Sequence, residues 1–349
     1  MPEVVGHWDN LAEAQKLTQS ELQAGIVETV IEAGGLISTL PVRQISGQSY
    51  LYNREDDWTA SDGASFFAIR ELIPWSSDMT YTQVSVALKR IARQDPIDNF
   101  IANTYNNIND YRAIMIRGLA KRLTRFLEHK IIYGDVTYTG SQEFDGLHAL
   151  AQEIGGDNDV DGAETAPSFA VLRTMLDTLK IDENTIGRNG VEILMARPLA
   201  RRLSASVQEA GMIRTSVTHS LGQISFSVND LGARVMSFDG VPIRVTDYLV
   251  AEQANTGAGS DARTVYASGT KQYSILVVRR GAIEDGGLTM LMGTPPGTSA
   301  GEFFGRTSFD KLENFDSGGE RLVAYPSLAL GAKNSLGRIY DLTDAAWTP

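Results

Sequence analysis

The chain has 349 residues, a formal net charge of −12 and no cysteine. The lack of cysteine excludes disulfide scaffolds, thiol nucleophiles and cysteine-ligated zinc, and a hydrophobic fraction of 42% is that of a globular protein. No apolar run reaches the roughly 18 residues that a membrane span needs, so we expect a soluble intracellular protein of two or three subdomains. Its acidity argues against a general nucleic-acid binder.

The first 40 residues are predicted to form an arm and a short docking helix. Residues 1–17 are polar and have no clear core-facing pattern. Residues 18–21 (Thr-Gln-Ser-Glu) form a capping box, after which Leu22, Ile26 and Val30 recur at helical spacing until Gly34 and Gly35 end the helix. Only one face of this helix is apolar, so it is expected to dock on another surface.

Residues 41–94 are predicted to form a long hairpin-like excursion. Side chains alternate with a period of two around Tyr50 and Tyr52, around Phe67 and Ile69, and over residues 84–88. Few large apolar groups are available to give this excursion its own core, and an isolated hairpin is marginal in water. We therefore expect it to be ordered by packing on a neighbour.

The strongest helical pattern in the sequence follows. Asp95 is a good N-cap and Pro96 suits the first helical position, and apolar residues recur at helical spacing from Ile97 to Ile131. A continuous helix to Tyr133 would have about 38 residues and a length of about 57 Å. This is much longer than the average globular helix.

The remaining pattern indicates short helices and strands, hence a mixed α+β class. Residues 151–168 are expected to be a loop, and Ser168 is expected to cap a helix that ends near Leu179. The other predicted elements are a helix at 198–210 and strands at 191–195, 241–245, 264–267, 273–279 and 322–326.

A search for catalytic and cofactor motifs indicates no enzyme. Residues 297–301 match G-x-S-x-G, but no histidine follows Ser299, as that chemistry requires. The sequence has no phosphate-binding loop, dinucleotide fingerprint or zinc spacing. We therefore expect neither a catalytic residue nor a cofactor.

An acidic run at residues 157–162 offers one alternative. Asp157, Asp159 and Asp161 alternate as in the first half of an EF-hand calcium loop, and Gly162 would permit the turn. The twelfth position is Ser168 instead of a bidentate glutamate. A solvated acidic loop is therefore favoured over a calcium site or a metal-assisted hydrolase.

Basic side chains are concentrated on the long predicted helix. Their partner is expected to be the acidic arm or a neighbouring subunit, and the alternative is non-specific contact with nucleic-acid phosphates. These residues are Arg112, Arg117, Lys121, Arg122 and Arg125.

The ordered motifs resemble the major capsid proteins of tailed bacteriophages, which share the Johnson fold. Residues 133–135 (Tyr-Gly-Asp) and 144–147 (Phe-Asp-Gly-Leu) resemble the turn after the long spine helix of that family, and residues 238–245 resemble a strand of its axial domain. The resemblance implies an arm and docking helix at 1–40 and an extended loop at 41–94. It also implies a peripheral domain with the spine helix at 95–146 and 276–349, and an axial domain at 147–275.

The resemblance implies a structural protein that assembles as pentamers and hexamers into an icosahedral virion shell around double-stranded DNA. Expected partners are further copies of the chain, a separate scaffolding protein, a portal and a decoration protein, with assembly in the host cytoplasm and no membrane. An encapsulin-type bacterial compartment is the alternative.

The extended loop has no lysine between Lys16 and Lys89 that could form a covalent cross-link. The residues expected at subunit contacts are Trp8, Leu11, Tyr50, Tyr52, Arg54, Trp58, Phe66, Phe67 and Trp75.

Overall fold

Helices and β-sheets alternate through the chain, which confirms the α+β class. The structure is a computed structural model, and it describes residues 35–55, 66–73, 81–104, 111–137, 142–180, 190–209, 224–228, 234–253, 270–295, 304–311 and 316–348. The helices are α1 (Asn99–Thr104), α2 (Tyr111–Tyr133), α3 (Leu147–Ile154), α4 (Phe169–Thr178) and α5 (Arg197–Glu209). The strands are β1 (Val42–Gln44), β2 (Ser49–Glu55), β3 (Tyr81–Ala87), β4 (Ile91–Asp98), β5 (Asp159–Thr165), β6 (Val191–Ala196), β7 (Ile224–Val228), β8 (Arg234–Phe238), β9 (Val241–Thr246), β10 (Glu252–Gln253), β11 (Lys271–Arg279), β12 (Leu288–Met292), β13 (Gly305–Phe309), β14 (Ser317–Ala324), β15 (Pro326–Leu330) and β16 (Leu336–Thr343).

An eight-stranded mixed sheet holds the main hydrophobic core. Its order is β5-β16-β11-β6-β9-β8-β7, with β10 paired to β11 at one end. All six residues of β6 are buried, as is usual for a strand with a parallel neighbour and both faces covered. The β8–β9 hairpin turns through Asp239 and Gly240, both at positive φ, which is the conformation of a type I′ turn.

Three smaller sheets surround this core. Strands β13-β14-β4 form an antiparallel sheet, against which Leu119 and Leu123 of α2 pack through Leu322. Strands β1-β12-β15 form a second sheet, and among the described residues β2 and β3 form a separate two-stranded hairpin. The apolar stripe of α2 continues through Leu127 and Ile131 into the main core. Helix α2 therefore connects a small sheet to the large one.

The predicted start of the long helix is wrong. Residues 91–98 form strand β4, and Pro96 lies opposite Gly319 of β14. Because β4 is an edge strand of its sheet, a proline there costs no internal ladder bond. The helix cap is Asp98 instead of Asp95, since the Asp98 carboxylate accepts the backbone N–H groups of Phe100 and Ile101. Residues 105–110, between α1 and α2, lie outside the described part.

Two other local predictions are wrong. Residues 66–73 are not a strand, although Phe67 and Ile69 alternate with polar or small neighbours. Residues 151–168 are not a loop, because α3 continues to Ile154 and residues 159–165 form β5, which pairs in parallel with β16. The predicted strand at 322–326 spans the end of β14 and the first residue of β15.

Most other predicted elements are confirmed. These include strands β2, β3, β6 and β9, helix α5, and helix α4 with its Ser168 cap, whose hydroxyl accepts the backbone N–H of Ala170. The strand predicted at 264–267 and the docking helix of the arm lie outside the described residues. The predicted domain boundary at 275/276 falls inside β11, and β16 lies in the centre of the large sheet. The last segment of the chain therefore completes the sheet formed mainly by residues 159–279.

Candidate assembly interface

The β2–β3 hairpin lies within the predicted extended loop, of which residues 41–55, 66–73 and 81–94 are described. Its register pairs Ser49 with Ala87 and Glu55 with Tyr81, so the hairpin is seven residues long on each side. Tyr50, Tyr52 and Val86 of the hairpin pack on a small cluster around Ile283. The described hairpin therefore packs on its own chain over most of its length.

Two of the predicted contact residues fix the hairpin farther from its base. The Tyr52 hydroxyl donates to the Leu330 carbonyl at 2.6 Å, and the Arg54 guanidinium donates to the carbonyls of Leu330 at 2.8 Å and Gly331 at 3.1 Å. Burial raises the pKa of Tyr52. Tyr52 and Arg54 are therefore engaged within the subunit, where they hold the hairpin on the end of β15. The Tyr50 ring contacts the Tyr52 ring at a tilt and lies under the guanidinium of Arg43.

The predicted contact residues farther along the loop have a different environment. Phe66 is fully exposed, Phe67 is 37% exposed, and Ile69 and Leu72 are 96% and 87% exposed. Trp8, Leu11, Trp58 and Trp75 lie outside the described residues. Exposed apolar side chains at this density are typical of a surface that another protein covers.

The predicted basic residues on α2 do not form a single group. Arg112 donates to the buried carboxylate of Glu320 and to the hydroxyl of Ser308, and Arg306 of β13 donates to the same carboxylate. Burial by itself would raise the pKa of Glu320, but the hydrogen bonds from Arg306, Arg112 and Ser308 lower it to about 2. Arg112 therefore joins α2 to the small sheet.

The other basic residues of α2 lie nearer the solvent. Arg117, Lys121 and Arg122 are exposed and Arg125 is half-buried. Arg122 lies 3.9 Å from the carboxylate of Asp95.

A carboxylate that the sequence did not single out fixes the root of the arm. Glu128 of α2 is buried, and its two oxygens accept the backbone N–H groups of Leu36 at 2.7 Å and Ile37 at 3.1 Å. Burial raises the pKa of this group, against the effect of those two hydrogen bonds. Arg244 of β9 also donates to the Gly35 carbonyl and to the Thr39 hydroxyl. Glu128 is the only acidic residue of α2. This isolated acidic position is the one feature of the sequence that could have indicated its role.

A second buried polar group joins five elements. Tyr133 donates to one oxygen of Glu252 at 2.8 Å, and Ser274 donates to the other at 2.6 Å. His148 Nε2 lies 3.4 Å from the same carboxylate, and its Nδ1 lies 3.3 Å from Arg338 Nη1. Because a guanidinium can only donate, Nδ1 is the acceptor and the ring proton is on Nε2, facing the carboxylate. Burial raises the pKa of Glu252 to about 7.

The glycines of the turn after α2 are required by close backbone contact. A Cβ atom on Gly134 would lie 2.4 Å from the Phe144 carbonyl oxygen, and one on Gly146 would lie 2.7 Å from the Gly134 nitrogen. The Gly146 N–H donates to the Gly134 carbonyl at 2.9 Å. The motif that carries the family resemblance therefore closes the junction between α2 and α3.

The acidic run at 157–162 is used within the fold. Arg338 donates to both oxygens of Asp159, at 2.6 and 2.8 Å, and the Asn158 amide donates to two backbone carbonyls near β16. Asp161 accepts the Ala163 N–H. Within the described ranges, no three histidine or acidic side chains are grouped so that they could hold a metal ion. The geometry gives no support to the calcium or hydrolase alternatives.

Comparisons with known proteins concern the fold. No family model and no curated protein matches the chain. The encapsulin of the holo-SrpI complex from Synechococcus elongatus PCC 7942 is 14% identical, with 98% of this chain and 99% of that chain covered and a TM-score of 0.66. A capsid chain of the native GTA particle is 10% identical, with 95% and 97% covered and a TM-score of 0.56. The capsid of Cyanophage P-SCSP1u is 11% identical, with 93% of each chain covered and a TM-score of 0.56.

These likenesses define the fold class. The chain has the Johnson fold, which tailed-phage capsids and encapsulins share, and the match extends over nearly its whole length. The expected fold is therefore confirmed. The proteins of similar fold are shell proteins. Among the helices of the described ranges, none has both the length and the apolar composition needed to cross a membrane.

Proposed function

We propose that the chain is a major capsid protein of the tailed-phage type. It assembles as pentamers and hexamers into an icosahedral virion shell that encloses double-stranded DNA, and its role is structural and not enzymatic. Its main partners are further copies of itself. A scaffolding protein, a portal and a decoration protein are the additional partners of this proposal, and assembly takes place in the host cytoplasm.

The exposed apolar segment at residues 66–73 carries the proposal. Phe66, Ile69, Leu72 and Ile73 are large apolar side chains that are at least 66% exposed within eight consecutive residues. Full burial of each is worth about 1.5–3 kcal/mol. A monomer gains nothing from these side chains, whereas a neighbouring subunit that covers them recovers that free energy in every copy of a shell.

Particle formation by the full chain tests this proposal. The chain is expressed with and without a co-expressed scaffolding protein, and the products are examined by electron microscopy and analytical ultracentrifugation. Closed shells with five- and six-fold capsomers support the proposal. A chain that stays monomeric at high concentration, with residues 66–73 protected from hydrogen exchange, contradicts it because the apolar segment would then be covered within one subunit.

An encapsulin-type compartment is the second candidate. The match to the SrpI encapsulin, at 98% and 99% coverage and a TM-score of 0.66, favours it. The contents of purified particles distinguish the two functions: nuclease-protected DNA at high density supports a capsid, and a co-purifying protein cargo without DNA supports an encapsulin.

A further inference from the structure

A turn within the exposed segment at residues 66–73 is closed by its own hydrogen bonds. The Glu71 backbone N–H donates to the Ala68 carbonyl at 3.0 Å, and the Ala68 N–H donates to the Glu71 carboxylate at 2.6 Å. Residues 68–71 therefore form a β-turn. Ile69 and Arg70 lie at its centre and are exposed. The shape of this turn thus comes from two local bonds and not from packing on the rest of the described subunit.

Arg70 occupies the position of the turn that least favours a side chain. Its φ is 72°, while Ile69 does not have a positive φ, and this combination is that of a type II turn. The third position of a type II turn is usually glycine or asparagine, because a Cβ atom crowds the backbone there. Glycine would form the same turn without strain. The arginine therefore makes the turn less stable than it could be.

Contacts within the subunit do not compensate for this strain. The Arg70 side chain is exposed, and within the described ranges it forms no hydrogen bond or ion pair. Strained backbone at a residue other than glycine is concentrated where that residue has a function. The function of Arg70 is therefore expected in a contact with another molecule.

The surroundings of Arg70 indicate that this molecule is a protein with an acidic surface. The segment has four large apolar side chains that are at least 66% exposed, and only another apolar surface would bury them. Arg70 is the only cation of the segment, and its one acid, Glu71, is used to close the turn. The natural partner of a guanidinium in a protein is a carboxylate, which it binds through two parallel hydrogen bonds.

A second copy of the chain meets both requirements. With 43 acidic against 31 basic residues, every copy carries an excess of carboxylates, and copies repel one another at long range. A cation within an apolar contact supplies the opposite charge where two copies meet. This contact is continuous with the subunit interface of the proposed function, in which a neighbour covers the same apolar segment.

We propose that Arg70 forms an ion pair with a carboxylate of a second copy of the chain, and that Glu71 is the positioning residue that holds the turn for this contact. The proposal rests on the proposed function, because it needs a neighbouring subunit. It adds orientation to that interface, since apolar burial is non-directional whereas a guanidinium and a carboxylate pair in a fixed geometry.

Removal of the guanidinium tests the ion pair. Arg70→Gly keeps the turn and relieves its strain, so we expect the urea midpoint of the unassembled subunit not to fall. The protein concentration at which particles appear, measured by light scattering and electron microscopy, is expected to rise by about two- to fivefold, the range for one exposed ion pair. An unchanged threshold or a lower urea midpoint would overturn the proposal and leave the proposed function standing. A wild type that forms no particles at all would overturn both.

Carbodiimide coupling identifies the partner, because this reagent joins an amine to a carboxylate that lies beside it. Residues 41–88 contain no lysine, so Arg70→Lys introduces a single amine into this part of the chain. In particles of this variant we expect a new cross-link between two chains, seen as a dimer on a denaturing gel and located by mass spectrometry. Wild-type particles are the matched control, since a guanidinium does not couple. A cross-link within one chain, a cross-link to a different protein, or no new cross-link would contradict the ion pair.

Two substitutions at Glu71 test its positioning role. Glu71→Ala removes the acceptor of the Ala68 N–H and is expected to raise the concentration threshold by about two- to tenfold, the range for one net hydrogen bond. Glu71→Gln keeps an oxygen that can accept this N–H, and it is expected to assemble like the wild type. Glu153→Ala, which changes an exposed glutamate on α3, is the matched control and should also assemble normally. If Glu71→Gln assembles as poorly as Glu71→Ala, or if both assemble normally, the positioning role is wrong.

Discussion

The buried carboxyl group of Glu252 makes the stability of the subunit depend on pH near neutrality. Burial raises its pKa from 4.5 to about 7. The folded chain therefore binds this proton more tightly than the unfolded chain does. The resulting stabilisation is complete below about pH 4.5 and is lost as the pH rises through 7. The difference between the two pKa values corresponds to about 3 kcal/mol, since one pKa unit is worth about 1.4 kcal/mol.

The change Glu252→Gln removes the titration and keeps the size of the side chain. Its amide retains an oxygen that can accept from Tyr133 or Ser274, as the protonated acid does. We expect the free energy of unfolding of the wild type, minus that of the variant, to fall by about 2–3 kcal/mol between about pH 5 and pH 8.5. Urea unfolding followed by tryptophan fluorescence measures it, because Trp347 is buried and stacked on Phe169.

The matched control is Glu153→Gln, an exposed glutamate on α3, the helix that also carries His148. This variant is expected to follow the wild type at every pH. If the difference in unfolding free energy between the wild type and Glu252→Gln stays constant within about 0.5 kcal/mol over the whole range, the reasoning is refuted, because the carboxyl group would then titrate alike in the folded and unfolded chains.

Three further predictions concern other junctions and the exposed segment. Glu320→Gln is expected to lower the free energy of unfolding by about 3 kcal/mol at pH 7, because the pKa of Glu320 is about 2. In urea titrations this loss should disappear as the pH falls to about 2. A loss that does not depend on pH would contradict the charge-based explanation. Gly146→Ala is expected to lower the melting temperature by more than about 5 °C, since its Cβ has no space, and an unchanged melting curve would be inconsistent with the close contact. Phe66→Ser with Ile69→Ser should abolish particles in electron microscopy and leave the urea midpoint of the monomer unchanged; normal particles would show that this segment is not a subunit contact.

The sequence predicted those elements whose signal is local. Strand β6 was found from an uninterrupted apolar run, and helix α4 from the Ser168 cap followed by apolar residues at helical spacing. Strand β4 was missed because the spacing of Ile97 and Ile101 fits a continuous helix. The choice of strand is made by pairing with β14, more than 200 residues later in the chain. Periodicity within one segment carries no information about such a partner.

The buried carboxylates at the junctions within the subunit were missed for the same reason. Glu128 binds the backbone 92 residues earlier, and Glu320 binds Arg112, 208 residues earlier. In the sequence these residues look like ordinary surface charges. A lone acid in a basic helix, as at Glu128, is the type of irregularity that could have indicated a buried partner. The exposure of Phe66 was anticipated, because an excursion with few apolar groups cannot bury them alone.

The positions of these carboxylates bear on how the subunit keeps its shape. Glu128, Glu252 and Glu320 each lie where α2 meets another element: the arm root, the large sheet and the small sheet. A buried charged junction is often no more stable than an apolar one, but its partners are satisfied in one geometry only. An apolar junction would tolerate sliding of α2. We therefore infer that these three junctions fix the body of the subunit in one arrangement. The hairpin is held on the end of β15 by Tyr52 and Arg54 alone among these polar contacts, and we infer that it is the part that adjusts to different neighbours. The change Tyr52→Phe removes one of its bonds to β15 and should broaden the range of hairpin angles seen among subunits in cryo-electron microscopy, while the angle between α2 and the large sheet stays constant. A changed α2 angle with an unchanged hairpin would assign the adjustment to the body instead.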